Sequence, residues 1–386
     1  MSKTKGKSFR FTRLYLENWR NFVKIDVGLR DRVFLVGPNA SGKSNLLDVF
    51  RFLHDIISVG GGFQEAVRKR SGVSSLRCLS ARRKSDISIH VSIGNEEDLS
   101  AWEYEIHFNQ DNLRRPLIKK EKVIKHGKTV LERPDTNDAK DPERLSQTYL
   151  EQVYVNQNFR EIADFFSTIR YLHIVPQLIR EPDRSIGKKN DPYGGDFLEQ
   201  IAHTQERTRD ARLRRIRDAL GFAVPQLKEL EMTRDERGTP HLRGKYEHWR
   251  PQGAWHMEDQ FSDGTLRLMG LLWVTLDGNG PLLLEEPELS LHPEVVKFIP
   301  QMFARIQRKS GRQVIMSTHS TEVLQDDGIG LDEVLLVQPG DQGTTITPAD
   351  TIEDAKLLLD GGLSIADAVI PQTRPKKVQQ LSLFGD

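Results

Sequence analysis

The chain has 386 residues, 29% of them charged, with 56 Lys and Arg against 55 Asp and Glu for a formal net charge of +1. That length can bury a large core and supports two lobes, and no apolar run approaches the ~18 residues a membrane span needs. The single cysteine, Cys78, excludes an internal disulfide or a cysteine metal cluster and suits a reducing cytosol. The start, Met1-Ser2-Lys3-Thr4-Lys5-Gly6-Lys7, is basic but lacks a following apolar secretion segment. Charge is uneven. Val67 to Ser85 carries seven Lys/Arg and no acid, whereas Thr321 to Ala368 carries eleven Asp/Glu and one Lys, so different regions should tolerate different partners.

Phe9 to Val27 alternates like two short strands around Glu17-Asn18-Trp19-Arg20-Asn21-Phe22. The apolar run Arg32 to Val36 then leads into Gly37-Pro38-Asn39-Ala40-Ser41-Gly42-Lys43-Ser44, followed by the amphipathic start Asn45 to Leu53. Strand, glycine loop and helix start form the context of a phosphate-binding loop. Its glycines let backbone N–H groups turn inward onto phosphate oxygens at the positive end of the helix. Lys43 is placed to reach the β- and γ-phosphates of a nucleoside triphosphate, and Ser44 to put its hydroxyl on Mg²⁺.

Gly60-Gly61-Gly62 breaks the chain, and Ile87–Ile93, Trp102–Phe108 and Leu117–Ile124 read as strands. Pro134 to Pro142 reads as a polar surface excursion, and Tyr171 to Val175 as a buried strand ending at Pro176-Gln177. Asp196 to Leu220 has helical spacing with Asp196 as a cap. Strands over 227–233 and 240–246 lead to Ser262-Asp263-Gly264-Thr265 and an apolar helix over 266–274. A buried strand over 282–284, a helix over 294–307, a buried strand over 313–316 and strands over 334–337 and 344–346 follow. No internal repeat and no long heptad run is present.

Leu282-Leu283-Leu284-Glu285-Glu286-Pro287-Glu288 places two adjacent carboxylates at the end of an apolar strand, Glu285 for Mg²⁺ and Glu286 to polarise an attacking water. His319 lies 33 residues past Glu286 at the end of the next buried strand, where an imidazole can meet a γ-phosphate. Phosphate loop, Ser-Asp-Gly-Thr, acidic strand end and strand-terminal histidine occur in the order found in ABC-type ATPases.

Asn18 to Phe22, Gly37 to Asn45, Ser262 to Leu268, Glu285 to Glu288 with Leu291-His292-Pro293, and Ser317 to Ser320 resemble the RecF/SMC/OLD-like branch of those ATPases, in particular its short bacterial "AAA family ATPase" proteins. The resemblance covers roughly residues 9 to 347. It implies an α/β, two-lobed ABC-type P-loop NTPase head with a mixed sheet and a short helical insertion. The expected division is an N-terminal lobe over 1–195, a helical segment over 196–225, a C-terminal lobe over 226–360 and a flexible tail over 361–386. It also implies an ATP-sandwiched homodimer in which Ser262, Asp263 and Gly264 of one copy meet the triphosphate of the other. Arg20 is then a phosphate contact, Ser290-Leu291-His292 an interface loop and Gln177 the glutamine that senses metal and water, with a plain surface Gln as the alternative. Many relatives act on DNA, often beside a nuclease in anti-phage defence.

The chain departs from the branch's pattern in several places. Glu285 stands where an aspartate is usual, and the signature departs from Leu-Ser-Gly-Gly-Gln. A long coiled-coil arm is missing, as is a fused nuclease, so any cutting falls to a partner.

Arg68, Lys69, Arg70, Arg82, Arg83 and Lys84 are DNA-contact candidates, because phosphate contacts come from Lys/Arg clusters without competing acids. The six arginines of Thr204 to Arg217 have Glu206 and Asp210 among them and read equally as a solvated helix face. At the end of the chain, Gln380-Leu381-Ser382-Leu383-Phe384 resembles the pentapeptide by which bacterial proteins dock on the replication sliding clamp, with Gln380, Leu381, Leu383 and Phe384 as contacts. Folding back on the protein's own surface is the alternative.

The functional expectation is a cytoplasmic ATPase, with the nucleoid as an alternative place within the cytoplasm, that switches on or near DNA in phage defence or repair. A transporter ATPase subunit and an ATP-bound scaffold are the competing readings.

Overall fold

The computed structural model describes residues 9–81, 84–185, 191, 193–249 and 253–374. They fall into two compact units, one holding the residues up to Ile169, Asn279–Leu283 and those from Phe303 onward, the other Arg170–Gly278 and Leu284–Met302.

The first unit opens with β1 (Arg10–Trp19), β2 (Phe22–Gly28), β3 (Arg32–Val36) and helix α1 (Lys43–Ile57). It continues through β4 (Ile87–Gly94), β5 (Trp102–Gln110), β6 (Pro116–Lys125) and β7 (Lys128–Arg133). The strands other than β3 form an antiparallel sheet in the order β2-β1-β4-β5-β6-β7. Its alternation is plain in β5, where Trp102, Tyr104, Ile106 and Phe108 are buried and Glu103, Glu105 and His107 are not. Helix α1 lays Leu46, Leu47, Phe50, Leu53 and Ile56 into the same core, and Phe50 meets Phe11 of β1 with ring centroids 4.6 Å apart.

The second unit contains β8 (Arg170–Leu172) and the antiparallel sheet β11-β10-β9, formed by β9 (Leu227–Arg234), β10 (Pro240–Tyr246) and β11 (Ala254–Met257). Helices Phe197–His203, Glu206–Leu220 and Asp263–Leu276 belong to the same unit. They enclose a core that includes Ile201, Leu213, Ile216, Leu242, Met269 and Trp273.

The remaining strands are β12 (Leu282–Glu285), β13 (Val314–Thr318), β14 (Val334–Gln338) and β15 (Thr345–Pro348). In the sheet order β15-β14-β3-β13-β12, β3 lies between β14 and β13 and is parallel to both, while β15 is antiparallel to β14, so the sheet is mixed. β3 is apolar throughout after Arg32 because both its edges are paired.

The structure departs from the sequence expectations at several points. The helix expected over 196–220 is two helices, broken where Thr204 and Gln205 turn extended, and Asp196 sits at the N-cap position without a side-chain capping bond. The helix expected over 294–307 is broken into Pro293–Val296 and Ile299–Ser310; Pro300 has no N–H to return to Val296, so one continuous ladder is impossible.

The expected flexible tail over 361–386 begins too early. Ser364 caps a helix over Ile365–Val369 that buries Ile365, Ala366, Ala368 and Val369. Pro134 to Pro142 is the exposed excursion expected, but it is ordered and anchored by one buried residue, Asp138. Asp135 caps a short helix over Thr136–Lys140 in a capping box with Asp138. Asp138 is buried on Arg133, at 3.0 Å from Nε and 2.8 Å from Nη2, and Arg133 also reaches Glu121 at 3.0 Å. A polar sequence hides this because the charges neutralise one another inside.

The Arg133 and Asp138 side chains are fully shielded from solvent, and removing one member of such a pair strands the other. Asp138→Ala should therefore cost about 3–5 kcal/mol in urea unfolding; a loss below about 1 kcal/mol would show that the pair is not what secures this segment.

Glu151 accepts from the Phe63 N–H at 2.7 Å and the Thr148 hydroxyl at 3.0 Å. Burial pushes its carboxyl from 4.5 up to about 7, with the Glu121 charge adding to the rise against those two hydrogen bonds. The folded state then keeps a proton that the unfolded chain releases. This contribution to stability is complete below about pH 4.5 and is lost as pH rises through about 7. Thermal melts across that window should show Glu151→Gln losing less stability than wild type; identical pH profiles would contradict the assignment.

Candidate functional site

β3 ends at Val36, and the glycine loop turns directly into α1. Ala40 and Gly42 have φ of 62° and 106°, the left-handed geometry that turns successive N–H groups to one side. Two glycines are demanded by close approach. A Cβ on Gly37 would lie 2.2 Å from the Val337 carbonyl oxygen, and one on Gly42 would lie 2.0 Å from Asn21 Nδ2. Lys43 is buried and its Nζ donates to the carbonyls of Gly37 at 2.8 Å and Pro38 at 3.1 Å, which holds the ammonium over the loop. Ser41 Oγ is buried with no hydrogen-bond partner among the described residues. A cradle of inward N–H groups, an ammonium and an unsatisfied hydroxyl fits a triphosphate.

Asn21, which the sequence reading left out of the site, fixes this loop. Its Nδ2 donates to the Ser41 carbonyl at 2.9 Å and to Thr344 Oγ1 at 2.6 Å, while Asn45 Nδ2 donates to Asn21 Oδ1 at 2.8 Å. The Thr344 hydroxyl also donates to the Ser41 carbonyl, at 2.8 Å. The available signal was position: Asn21 lies in the same Asn18–Phe22 stretch as Arg20. Arg20 itself has φ of 54° and places Nη2 3.3 Å from Asp48 of α1. Asp48 also holds Arg70. Burial alone would raise the Asp48 carboxyl, but the Arg70 guanidinium, with Arg51 and Arg20, holds it below the ordinary range. His319 follows Thr318, which is paired with Val36, so it leaves the sheet level with Gly37 and is exposed.

The other candidate residues lie in the second unit. Ser262 caps the helix Asp263–Leu276, accepting from the Thr265 N–H at 3.2 Å. A Cβ on Gly264 would lie 2.6 Å from the Ser290 carbonyl oxygen, so the Ser-Asp-Gly-Thr turn packs directly on the loop expected at an interface. Asp263 is engaged by Arg180 at 2.6 Å, and Arg180 Nη2 also donates to the Phe261 carbonyl at 2.6 Å. Arg267, one turn further along that helix, carries a guanidinium whose pKa burial pushes down while Asp263, Glu286 and Glu288 oppose the fall. Arg180 thus holds the Ser-Asp-Gly-Thr turn, Arg267 lies in the field of both that turn and the acidic strand end, and neither was legible as a site residue. Glu285 closes β12 and accepts from the Tyr171 hydroxyl. Glu286 has φ of 42°, a strained bend for a non-glycine residue. Gln177 is exposed on the short helix Pro176–Ile179.

The DNA-contact assignment is corrected at Arg70. It is 6% exposed, with Nε and Nη2 on Asp48 and Nη1 2.8 Å from Asp55. The segment lacks acids of its own, but its surroundings supply them, Asp48 and Asp55 from α1, Glu17 from β1 and Glu65 from just before the segment. Arg68 pairs with Glu65 at 2.6 Å, Lys69 with Asp55 at 3.4 Å and Lys84 with Glu17. Arg82 and Arg83 lie outside the described residues, as do Gln380, Leu381, Leu383 and Phe384. In the arginine-rich helix Glu206–Leu220, Arg212 pairs with Asp277 at 2.9 Å.

Comparison with known proteins supplies the family. The profile described as "AAA domain, putative AbiEii toxin, Type IV TA system" matches residues 32–325. The chain belongs to this family.

Its glycine loop, Ser-Asp-Gly-Thr turn and acidic strand end all fall within the matched span. The chain is also 30% identical over 124 residues to the energy-coupling factor transporter ATP-binding protein EcfA2 of Geobacillus kaustophilus (strain HTA426), across 32% of this chain and 40% of that one. The chain thus spans less than half the length of that curated relative. Among solved structures, an SmcHead bound to the C-winged helix domain of ScpA aligns at TM-score 0.53 and 14% identity, over 87% of this chain and 96% of that one. The Smc head domain with an extended coiled coil, bound to the C-terminal domain of ScpA and derived from Pyrococcus furiosus, aligns at 0.51 and 14%, over 92% and 99%. The fold is therefore the α/β, mixed-sheet fold of SMC-head ABC-type P-loop ATPase domains, and the family model places an AAA domain on it.

Because Asn21 secures the carbonyl between the two halves of the glycine loop, Asn21→Ala should weaken Mg·ATP binding about tenfold by calorimetry while the protein stays folded. Undiminished affinity would remove Asn21 from the site.

Proposed function

We propose that this chain is an ATP-hydrolysing dimeric switch that acts on or near DNA, in phage defence or DNA repair, alongside a separate effector such as a nuclease or toxin. The observation that carries the reading is the glycine loop itself. It has left-handed backbone at Ala40 and Gly42, Lys43 held over it, and His319 leaving the neighbouring strand at the same level. Lys43 and the loop N–H groups bind the triphosphate. Mg²⁺, held by Ser44 and Glu285, would neutralise phosphate charge. Among the described residues no three His, Cys, Asp or Glu side chains gather to hold a metal without such phosphates.

Glu286 orients a water and accepts its proton, and His319 contacts the γ-phosphate. Ser262 and Gly264 meet the triphosphate of a second copy, Ser262 being exposed at the N-terminus of a 14-residue helix, where backbone N–H groups favour an anion. The family's description as a putative toxin of a toxin–antitoxin system supports work beside an effector or antitoxin partner. Docking on the sliding clamp by the 380–384 peptide belongs to the same proposal.

A second reading, the ATPase subunit of a transporter, rests on the match to EcfA2. No helix among the described residues is long and apolar enough to cross a membrane, so that reading requires a membrane partner, which would appear in purification from membranes. In a scaffold role ATP would be held without turnover, and steady-state phosphate release separates that case.

With Mg·ATP, Glu286→Gln should cut phosphate release by about 100-fold or more and accumulate a dimer by light scattering. A variant that stays a single 44.2 kDa subunit when loaded with ATP, or turns over like wild type, overturns the dimeric mechanism.

A further inference from the structure

Most of the described cations in and around the basic segment are paired. Arg68, Lys69, Arg70 and Lys84 each have a carboxylate partner, and Arg115 pairs with Asp111 at 2.8 Å and Glu143 at 3.3 Å. Arg77 and Arg114 form no ion pair among the described residues. Both line one cleft of about 350 Å³, together with Ser85, Asn109, Asn112 and Asp111. Arg77 Nη2 donates to the Lys84 carbonyl at 3.0 Å, and its Nε is buried with no partner. Asn109 donates to Asp86 at 2.8 Å, and its Oδ1 is likewise buried and unmatched. Asp111, the one acid on the wall, is already occupied. It accepts from the N–H groups of Leu113 at 2.9 Å and Arg115 at 2.8 Å, and from Arg115 Nε. The cleft therefore offers two guanidinium groups without an ion pair and the Asn112 amide, with Asp111 neutralised, while Ser85 Oγ and Asn109 Nδ2 are both turned onto Asp86. Two such guanidinium groups suit an oxyanion, and their fork matches the geometry of phosphate.

We infer that this cleft binds phosphate groups of a nucleic-acid backbone through Arg77 and Arg114. The inference rests on the reading that the protein works on or near DNA, and it moves the contact away from Arg70, which is buried on Asp48 and Asp55, and from Arg68 and Lys69, which are exposed but each paired with a carboxylate. A backbone is favoured over a free phosphate by the size of the cleft, about 350 Å³, which has room for more than one phosphate group between the two arginines.

The test is anisotropy of a short fluorescein-labelled DNA duplex with the full chain, at salt between about 50 and 200 mM. Arg77→Gln/Arg114→Gln should weaken binding by about tenfold or more and lower the slope of log affinity against log salt by about two. Arg68→Gln/Lys69→Gln should leave both nearly unchanged, and Arg77→Lys/Arg114→Lys should restore the slope, which a merely misfolded variant could not do. Wild-type affinity and slope in the double Gln variant would overturn the cleft while leaving DNA binding intact. A wild type that ignores DNA overturns both readings. If that wild type instead takes up inorganic phosphate in a way the double Gln variant does not, the site belongs to a small phosphate ester and the backbone assignment is wrong.

Discussion

The structure of the nucleotide site depends on one carbonyl. The Ser41 C=O, in the middle of the glycine loop, is held by the Asn21 amide at 2.9 Å and the Thr344 hydroxyl at 2.8 Å. Asn21 comes from the turn joining β1 and β2, and Thr344 from the approach to β15, so the loop is braced by the antiparallel sheet on one side and by the mixed sheet on the other. A glycine-rich loop has more backbone freedom to lose than any other stretch, and binding phosphate with a floppy loop would consume that entropy at the moment of binding. Paying it during folding leaves a cradle already shaped for the ligand. The same bracing explains why Gly42 admits no side chain: a Cβ there would collide with the Asn21 amide.

A second constraint sets where charge can act. Asp48 lies on the buried face of α1 and gathers Arg70, Arg20 and Arg51. A carboxylate in that position is stable only with cations around it, so part of the basic segment is committed to the inside of the unit. Counting arginines along the sequence therefore overstates the positive surface. Arg70 holds the short helix Phe63–Arg68 to α1 through Asp48 and Asp55, and its guanidinium also lies over the Phe52 ring at 5.3 Å. It is a structural residue drawn from what reads as an interaction patch.

These two constraints mark what could be read from the chain. The glycine loop, the flanking strand and helix, the apolar run before Glu285 and the strand before His319 are encoded locally, each within about ten residues, and they appear in the structure where the pattern puts them. What stayed hidden depends on long-range partners. Asn21 acts on a loop 20 residues away and on Thr344, 323 residues away. Arg133 takes its partners from β6 and from a polar segment that looks like solvent-facing loop. The helix breaks at Thr204 and at Pro300 were legible in principle, since one is a residue poor in helix propensity and the other cannot donate its N–H. The apolar periodicity that continued past them outweighed those signals.

The bonds around the β1–β2 turn also connect the phosphate-binding loop to the basic segment. Asn18 accepts from the Cys78 N–H at 3.0 Å and donates to the carbonyls of Lys84 and Asp86, each at 3.1 Å. Arg20 donates its backbone N–H to the Leu76 carbonyl at 2.6 Å. Arg77 directly follows that carbonyl, and Asn21 directly follows Arg20. The β1–β2 turn is thus bonded on one side to the basic segment and on the other to the glycine loop. Both Asn18 and Arg20 have positive φ, 59° and 54°, so this turn is held in a conformation its residues would not choose alone. Such a turn keeps its shape only while its partners on both sides hold it. For that reason the shape of the turn that braces the glycine loop depends on the basic segment as well as on the loop itself.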